Sequence, residues 1–439
     1  MLNQMTVTPW VKSLAIVAAG LLLTGCMAEA IDSTSPESNA TSVARYTDVA
    51  ATFKVDMVAS TITGASFTLF NTTTKNTVDA DIYYDGENKI ASLVPKMPLD
   101  RLTTYEATLS ETIEASGNAD IKEDYVWSFE TANSPVQGAL NTVQVAALEV
   151  QGQYAYYVAR LRRMVVVDLS VPEKPSLAAE LPIDGPGWGI ALKDNYAFVS
   201  NGIIQTVDIS NPTVPVIVNT LDIDYRRADV DKYVGSNPVT LEGDYLYAGV
   251  QNFGLWVIDI SNPLAPSLVG QVDAFTSLAT ESYTPDNIVK RGNYVYAFSE
   301  DNETLIYDVS NPLAPELITI YSDHPARKWI FNGDLAYAVN RNWLGVLDLS
   351  DPVNPVISQE VLSDVSNSVF YDLVLDGDNL YVSDMIASRI VKYDVSNAED
   401  PVVVSVIGGV NMPRSIGLIN SDTLYASGLI SGLYSIEKE

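Results

Sequence analysis

Cationic and aromatic residues gather in irregular segments of the C-terminal two thirds of this sequence, and their types suit the binding of an anionic ligand. Arginine forks bind carboxylate and sulfate groups in a bidentate manner, and exposed aromatic faces contact cations and sugar rings. The candidate ligand-binding residues are Trp188, Arg226, Arg227, Tyr233, Tyr283, His324, Arg327, Lys328, Trp329 and Arg414. They predict a site for an anionic polysaccharide or an acidic protein partner.

The same cations also allow a structural interpretation, in which they pair with nearby carboxylates. The acidic residues available for such pairs are Asp229, Asp231, Asp286, Asp323 and Asp384. Loops are commonly polar, so the sequence leaves both interpretations open.

Catalysis is the second chemical possibility. A polysaccharide lyase or glycosidase needs a base and an acid, and Tyr233, Tyr283, Asp231 and Asp286 are the available groups. His324 is the only histidine, which excludes a mechanism with two histidines and a metal site with several. The sequence also has no nucleophile elbow, phosphate-binding loop, dinucleotide fingerprint or zinc motif. We therefore assign no catalytic residue, no metal and no cofactor, and keep the polysaccharide-degrading enzyme as the alternative function.

A repeated phrase, of which "GLWVIDISNPLAP" is one copy, supplies the elements that must position these residues. An acidic residue recurs in register at Asp168, Asp208, Asp259, Asp308, Asp348, Asp394 and Glu437. A ring of metal-binding carboxylates is one interpretation. A turn is the favoured one, because Asp, Ser and Asn close turns through side-chain hydrogen bonds and Pro blocks strand continuation. A second β signal with a tight turn precedes each copy, so each unit is predicted to form four antiparallel strands.

Units of four strands at this spacing predict a β-propeller, since radial closure leaves only short edges. We expect seven blades, with six or eight as the tolerance. Residues 138–144 would supply the outer strand of the incomplete last unit. The candidate residues would then lie in connections between blades and in turns between second and third strands, on one face. The propeller domain would span residues 138–439. Its repeat resembles the LVIVD family of bacterial surface propellers from residue 143 to residue 439, and this resemblance implies a fold and no particular activity.

Residues 48–132 alternate polar and apolar positions in short runs, which predicts an all-β sandwich. The stretches "LVPKMPLDRLTTYEATLS" and "YVWSFET" resemble bacterial Ig-like domains, although the usual opening Pro-rich strand is missing. The resemblance implies a stalk, with adhesion as the minority alternative. Asp79, Asp81 and Asp85 lack the spacing of a calcium loop.

Residues 1–25 read as a secretory signal peptide, and "LTGC" at its end resembles the lipobox of bacterial lipoproteins. The resemblance implies lipidation of Cys26 and, because Met27 follows, the outer membrane, with the surface and periplasmic sides both open. An ordinary signal peptide with a chance cysteine is the alternative. Residues 26–47 are rich in Ser, Thr and Ala, which predicts a flexible tether.

The net charge of −30 opposes binding to nucleic acid. Together, the lipobox, the Ig-like domain and the propeller repeat predict a lipid-anchored binding or scaffold protein of the cell envelope. We expect it to be a monomer. A polysaccharide-degrading enzyme and a purely structural component are the alternatives.

Overall fold

The computed structural model describes residues 30–117, 121–140, 145–221, 238–251, 254–272, 285–298, 303–418, 420, 422–428 and 432–438. The predicted signal peptide, Cys26, Arg226, Arg227, Tyr233 and Tyr283 lie outside these residues. Within the described ranges, regular structure is almost entirely β, with one short 3-10 turn at Ala59–Thr61. None of these segments forms a helix of the length and hydrophobicity needed to cross a bilayer.

The N-terminal domain is a sandwich of two sheets. Its strands are β1 (Ile31–Ser35), β2 (Ala40–Val43), β3 (Val49–Phe53), β4 (Phe67–Asn71), β5 (Asn76–Thr77), β6 (Ala80–Asp85), β7 (Ile90–Pro95), β8 (Thr104–Leu109) and β9 (Tyr125–Thr131). The strand orders are β1-β3-β7-β6 and β2-β9-β8-β4-β5. Alternate side chains, such as Val49, Phe67 and Trp127, meet in one buried core. This alternation is the reason why the sequence predicted a sandwich.

The predicted flexible tether needs a correction. Residues 31–35 and 40–43, which we assigned to the tether, form strands β1 and β2 of the sandwich. Both lie at sheet edges, and β1 buries only Ile31, so their polar composition resembles that of a linker. Pro36 lies between these two strands, so the sandwich begins before residue 48, where the sequence predicted its start.

The second domain consists of four-stranded antiparallel sheets. Its strands are β10 (Val136–Leu140), β11 (Val145–Gln151), β12 (Tyr154–Ala159), β13 (Arg163–Asp168), β14 (Ser176–Pro182), β15 (Gly189–Lys193), β16 (Tyr196–Ser200), β17 (Ile204–Asp208), β18 (Val216–Leu221), β19 (Val239–Glu242), β20 (Tyr245–Val250), β21 (Gly254–Asp259), β22 (Ser267–Val272), β23 (Asn287–Arg291), β24 (Tyr294–Phe298), β25 (Thr304–Asp308), β26 (Glu316–Tyr321), β27 (Lys328–Asn332), β28 (Leu335–Asn340), β29 (Trp343–Asp348), β30 (Val356–Leu362), β31 (Phe370–Asp376), β32 (Asn379–Asp384), β33 (Arg389–Asp394), β34 (Val402–Gly408), β35 (Pro413–Leu418), β36 (Thr423–Gly428) and β37 (Gly432–Glu437).

These strands form a β-propeller. From β11 to β34, each four consecutive strands make one sheet, and a further sheet has the order β10-β37-β36-β35. The first strands β11, β15, β19, β23, β27, β31 and β35 each contact the next, and β35 contacts β11, so the contacts close a ring. The strand β10 pairs antiparallel with β37, which joins the two ends of the domain in one sheet as the sequence predicted.

The second and third strands of the sheets are almost continuously buried, because other sheets cover both of their faces. Tyrosines on second strands also link sheets. The Tyr296, Tyr337 and Tyr425 hydroxyls donate to backbone oxygens in the corner turn of the following sheet, at 3.0, 3.1 and 3.2 Å. Packing and hydrogen bonding therefore act together between sheets.

The repeated aspartates close turns, as the favoured interpretation predicted. One carboxylate oxygen of each accepts a hydrogen bond at 2.7–2.8 Å from the backbone N–H of the serine two residues later. The six aspartates are Asp168, Asp208, Asp259, Asp308, Asp348 and Asp394. Their side chains therefore serve the corner between third and fourth strands.

Candidate functional site

Strand direction divides the propeller into two faces. The upper face carries the start of each first strand and the turn between second and third strands. The lower face carries the end of each first strand and the corner turns with the repeated aspartates. This division follows from antiparallel pairing within each sheet.

Three arginines from different sheets meet on the upper face. The guanidinium carbons of Arg327 and Arg414 lie 4.3 and 4.5 Å from the ring centre of Tyr371. Arg414 also donates a hydrogen bond to the Tyr371 hydroxyl. The third arginine, Arg160, lies 4.6 Å from the ring centre of Trp188. We call Arg160, Trp188, Arg327, Tyr371 and Arg414 the arginine cluster.

The surroundings of the arginine cluster disfavour the positive charges of Arg160 and Arg327. Loss of hydration, with repulsion from Arg414 as a further cause, lowers the pKa of both Arg160 and Arg327. Tyr371 and Asp286 oppose this shift. Among the described residues, Arg160 and Arg414 form no ion pair. An anion placed here would relieve the repulsion, which is the chemical capability of this site.

A second polar group lies beside the cluster on the first strands. The Lys328 ammonium is 2.5 Å from one carboxylate oxygen of Asp372, and the other accepts from the Ile416 backbone N–H at 3.1 Å. Surrounding protein raises the pKa of Glu149 by removing water, while Lys328 lowers it and Asp372 raises it further. The predicted ligand residue Lys328 therefore already has an acidic partner.

Arg389 on the same face belongs to a structural network. Its Nε donates to the fully buried carboxylate of Asp384 at 3.0 Å, and its Nη2 lies 2.5 Å from Asp364. Asp384 also accepts from the Ser368 hydroxyl and from the Val369 N–H. The charge of Arg389 is therefore compensated within the protein.

Two further candidates do not join the arginine cluster. Trp329 is only 1 % exposed and packs against Tyr296, Phe298 and Tyr321, so the hypothesis that it contacts a ligand needs correction. Its indole is apolar core because alternate residues of a first strand face a neighbouring sheet. The Nε2 atom of His324 lies 3.2 Å from a carboxylate oxygen of Glu360, and its ring meets Trp343 edge-on.

Of the predicted set, the structure brings together Trp188, Arg327 and Arg414. It adds Tyr371, which sequence reasoning missed because "VFYDLVLD" reads as an ordinary strand. The alignment of the repeats contained one signal for Tyr371. It is the second residue of its first strand, β31, and Arg414 is the second residue of the next first strand, β35, so both side chains belong to the same face. Across the described ranges, no group of three or more His, Cys, Asp or Glu residues is placed to hold a metal ion.

Comparisons with known proteins agree with this architecture. Residues 28–131 match the family model described as bacterial Ig-like domain. Residues 144–181, 184–222, 236–274, 285–323 and 329–363 match the model described as LVIVD repeat. No curated protein matches the chain.

Two solved structures show the same propeller fold. The β-propeller domain of Myceliophteria thermophila Cps50 (Swd1) superposes with a TM-score of 0.51 at 12% identity, covering 69% of this chain and 99% of that one. Hydrazine synthase of Kuenenia stuttgartiensis gives a TM-score of 0.51 at 11% identity, covering 68% and 97%. At these identities the likeness concerns the fold alone.

Proposed function

We propose that this chain is a binding or scaffold protein of the cell envelope, whose propeller binds an anionic group of a partner on its upper face. The observation that carries the proposal is the arginine cluster, where cations from separate sheets crowd around Tyr371 in a protein of net charge −30. Holding like charges together costs free energy, and a carboxylate or sulfate group would offset that cost. We favour an anionic glycan as the partner, because aromatic rings accompany the arginines.

The position of the Ig-like domain supports this role. Its Arg45 and Arg101 contact Glu437, which ends the third strand β37 and therefore lies on the lower face. A small cavity between the domains is lined by Tyr46 and Met97 on one side and by Gln137 and Lys174 on the other. The arginine cluster is thus directed away from the Ig-like domain, as a stalk-mounted binding face would be.

Attachment to the envelope is a further part of the proposal. Cys26, which lies outside the described residues, would carry the lipid, and the outer membrane would be the location. Metabolic labelling with palmitate tests this part. Label should enter the full chain and be absent from Cys26→Ser, and equal labelling of both would contradict it.

The ligand experiment uses soluble protein spanning residues 28–439. Oligogalacturonate supplies carboxylates, heparin supplies sulfates, and dextran is the neutral probe. We expect saturable binding of an anionic probe that weakens as salt is raised, because the contact is between charges. Arg327→Gln/Arg414→Gln should weaken binding about tenfold or more, since a hydrogen bond to a charged group contributes about 1.5–3 kcal/mol.

The matched control is Lys193→Gln/Lys290→Gln. It removes two cations as well, but these lie on the lower face and pair with Asp244 and Glu242. Equal losses in both double variants would show that net charge, and not the arginine cluster, governs binding. Binding of dextran alone would contradict the anionic preference. New reducing ends or unsaturated products would favour the alternative function, a polysaccharide-degrading enzyme. If no probe bound, an acidic protein would be the next partner to test.

A further inference from the structure

The seventh acidic residue of the repeat differs from the other six. In the six sheets that carry the repeated aspartate, the next residue donates its backbone N–H to a backbone oxygen in the turn between the first and second strands. Leu169, for example, donates to Gln153 at 2.8 Å. Lys438 makes the same bond to Asp422 at 2.9 Å, so Glu437 occupies the aspartate position of its sheet. Its carboxylate contacts the Ig-like domain, whereas the six aspartates close their own corner turns.

The contact involves two arginines of the Ig-like domain. One carboxylate oxygen of Glu437 lies 3.2 Å from Nη1 of Arg45 and 3.0 Å from Nη2 of Arg101. Arg45 is only 9% exposed, and its Nε donates to the Leu99 carbonyl at 2.7 Å. A guanidinium held in this way presents its charge in a fixed direction, and it needs an anion because little water reaches it.

The guanidinium of Arg45 lies beside both β10 and β37, the paired strands that join the two ends of the ring and that we call the seam. Arg45 Nη1 also donates to the carbonyl of Ser134 at 3.2 Å, two residues before β10 begins. The N–H of Glu437 donates to the Pro135 carbonyl at 2.9 Å. The strands β10 and β37 pair with a register irregularity between Val136 and Gly138. The seam is where the two ends of the ring meet, and Arg45 is bonded to the chain on either side of it.

We propose that the Ig-like domain has a second function beyond that of a stalk: Arg45 and Arg101 clasp Glu437 and hold the β10–β37 seam of the propeller closed. The glutamate is longer than the repeat's aspartate by one methylene, which suits a contact outside its own sheet. Local unfolding of the seam is then coupled to loss of its contact with the Ig-like domain.

Hydrogen exchange of backbone amides tests the clasp on the chain as it exists. Glu437→Gln keeps the shape of the side chain and removes its charge. We expect exchange of the amides in β10 and β37 to accelerate about tenfold, while amides in β13, within the ring, stay unchanged. Arg101→Gln should accelerate the same amides, and the double variant Arg101→Gln/Glu437→Gln should add little to Glu437→Gln alone.

The matched control is Asp394→Asn, which removes the charge at the equivalent repeat position of another sheet and keeps an acceptor for the Ser396 N–H. It should leave the seam amides unchanged. Unchanged exchange in β10 and β37 of Glu437→Gln would overturn the proposal. Equal acceleration in every sheet would also overturn it, because that pattern indicates general destabilisation. Arg101→Gln keeps the test decisive if Glu437→Gln does not fold.

Discussion

Arg389 and the pair Arg327 and Arg414 share the upper face of the propeller but have different surroundings. Arg389 is held by Asp364 and by the buried Asp384, so its charge is compensated within the protein. Arg327 and Arg414 lie against one tyrosine ring and repel each other. Asp286 also acts on Arg327, but it does not remove the repulsion from Arg414. The difference shows that cations gathered on one face need not share a role: two carboxylates fix Arg389, whereas Arg327 and Arg414 are crowded against each other.

The largest expected effect comes from breaking the structural side of this comparison. Arg389→Ala should lower the free energy of unfolding by about 3 kcal/mol, because it leaves the Asp384 carboxylate buried without its cation. Urea denaturation followed by intrinsic fluorescence measures this loss. Binding of anionic probes by the folded fraction should stay unchanged.

The control for this variant is Arg163→Ala. Arg163 also begins a third strand, but its partner Glu180 is partly exposed, so the loss should stay below about 1 kcal/mol. If both variants lost the same stability, the buried carboxylate would not be the cause.

A smaller effect is expected from the aromatic ring of the arginine cluster. Tyr371→Ala should weaken binding of oligogalacturonate about tenfold, since each exposed cation–π contact contributes about 0.5–1 kcal/mol and orients its guanidinium. Tyr371→Phe keeps the ring and should stay within about twofold of wild type by the same reasoning. Titration calorimetry measures both. An equal loss in the two variants would assign the effect to the hydroxyl, which accepts a hydrogen bond from Arg414.

The smallest effect concerns the pH dependence of stability. Although Glu149 lies exposed on β11, the protein around it removes part of its hydration and raises the pKa of its carboxyl, so the native protein holds this proton slightly more tightly than the unfolded chain does. Stability from this group is therefore lost as pH rises above the ordinary glutamate pKa of about 4.3. Glu149→Gln should melt slightly above wild type at pH 7 and at the same temperature at pH 3.

Thermal unfolding at the two pH values checks this, with Glu316→Gln on the outer strand β26 as the control. A lower melting temperature for Glu149→Gln at pH 7 would mean that attraction to Lys328 outweighs the cost of dehydration.

Much of the fold was predictable because its signals are local. Alternating residues such as Val49, Ala51 and Phe53 indicated the sandwich, and the Asp-x-Ser phrase indicated corners that a single side-chain bond closes. The predicted extent of the tether was wrong because edge strands bury few side chains. The strands β1 and β2 therefore have a composition like that of a linker.

The candidate site was predictable only in part. The upper face and three of its members, Trp188, Arg327 and Arg414, followed from loop positions within the repeat. Tyr371 and the burial of Trp329 did not, because neighbouring residues of one first strand face different surroundings.

The sequence by itself determined the four-stranded unit, the corner turn and the strand that closes the ring, since alternation and turn chemistry act within a few residues. Only the tertiary structure decided which charges meet. Arg160, Tyr371 and Arg414 come from different sheets, and the partners of Glu437 come from another domain. Coulombic and cation–π contacts depend on distances in space that ring closure sets, and no spacing along the chain records them.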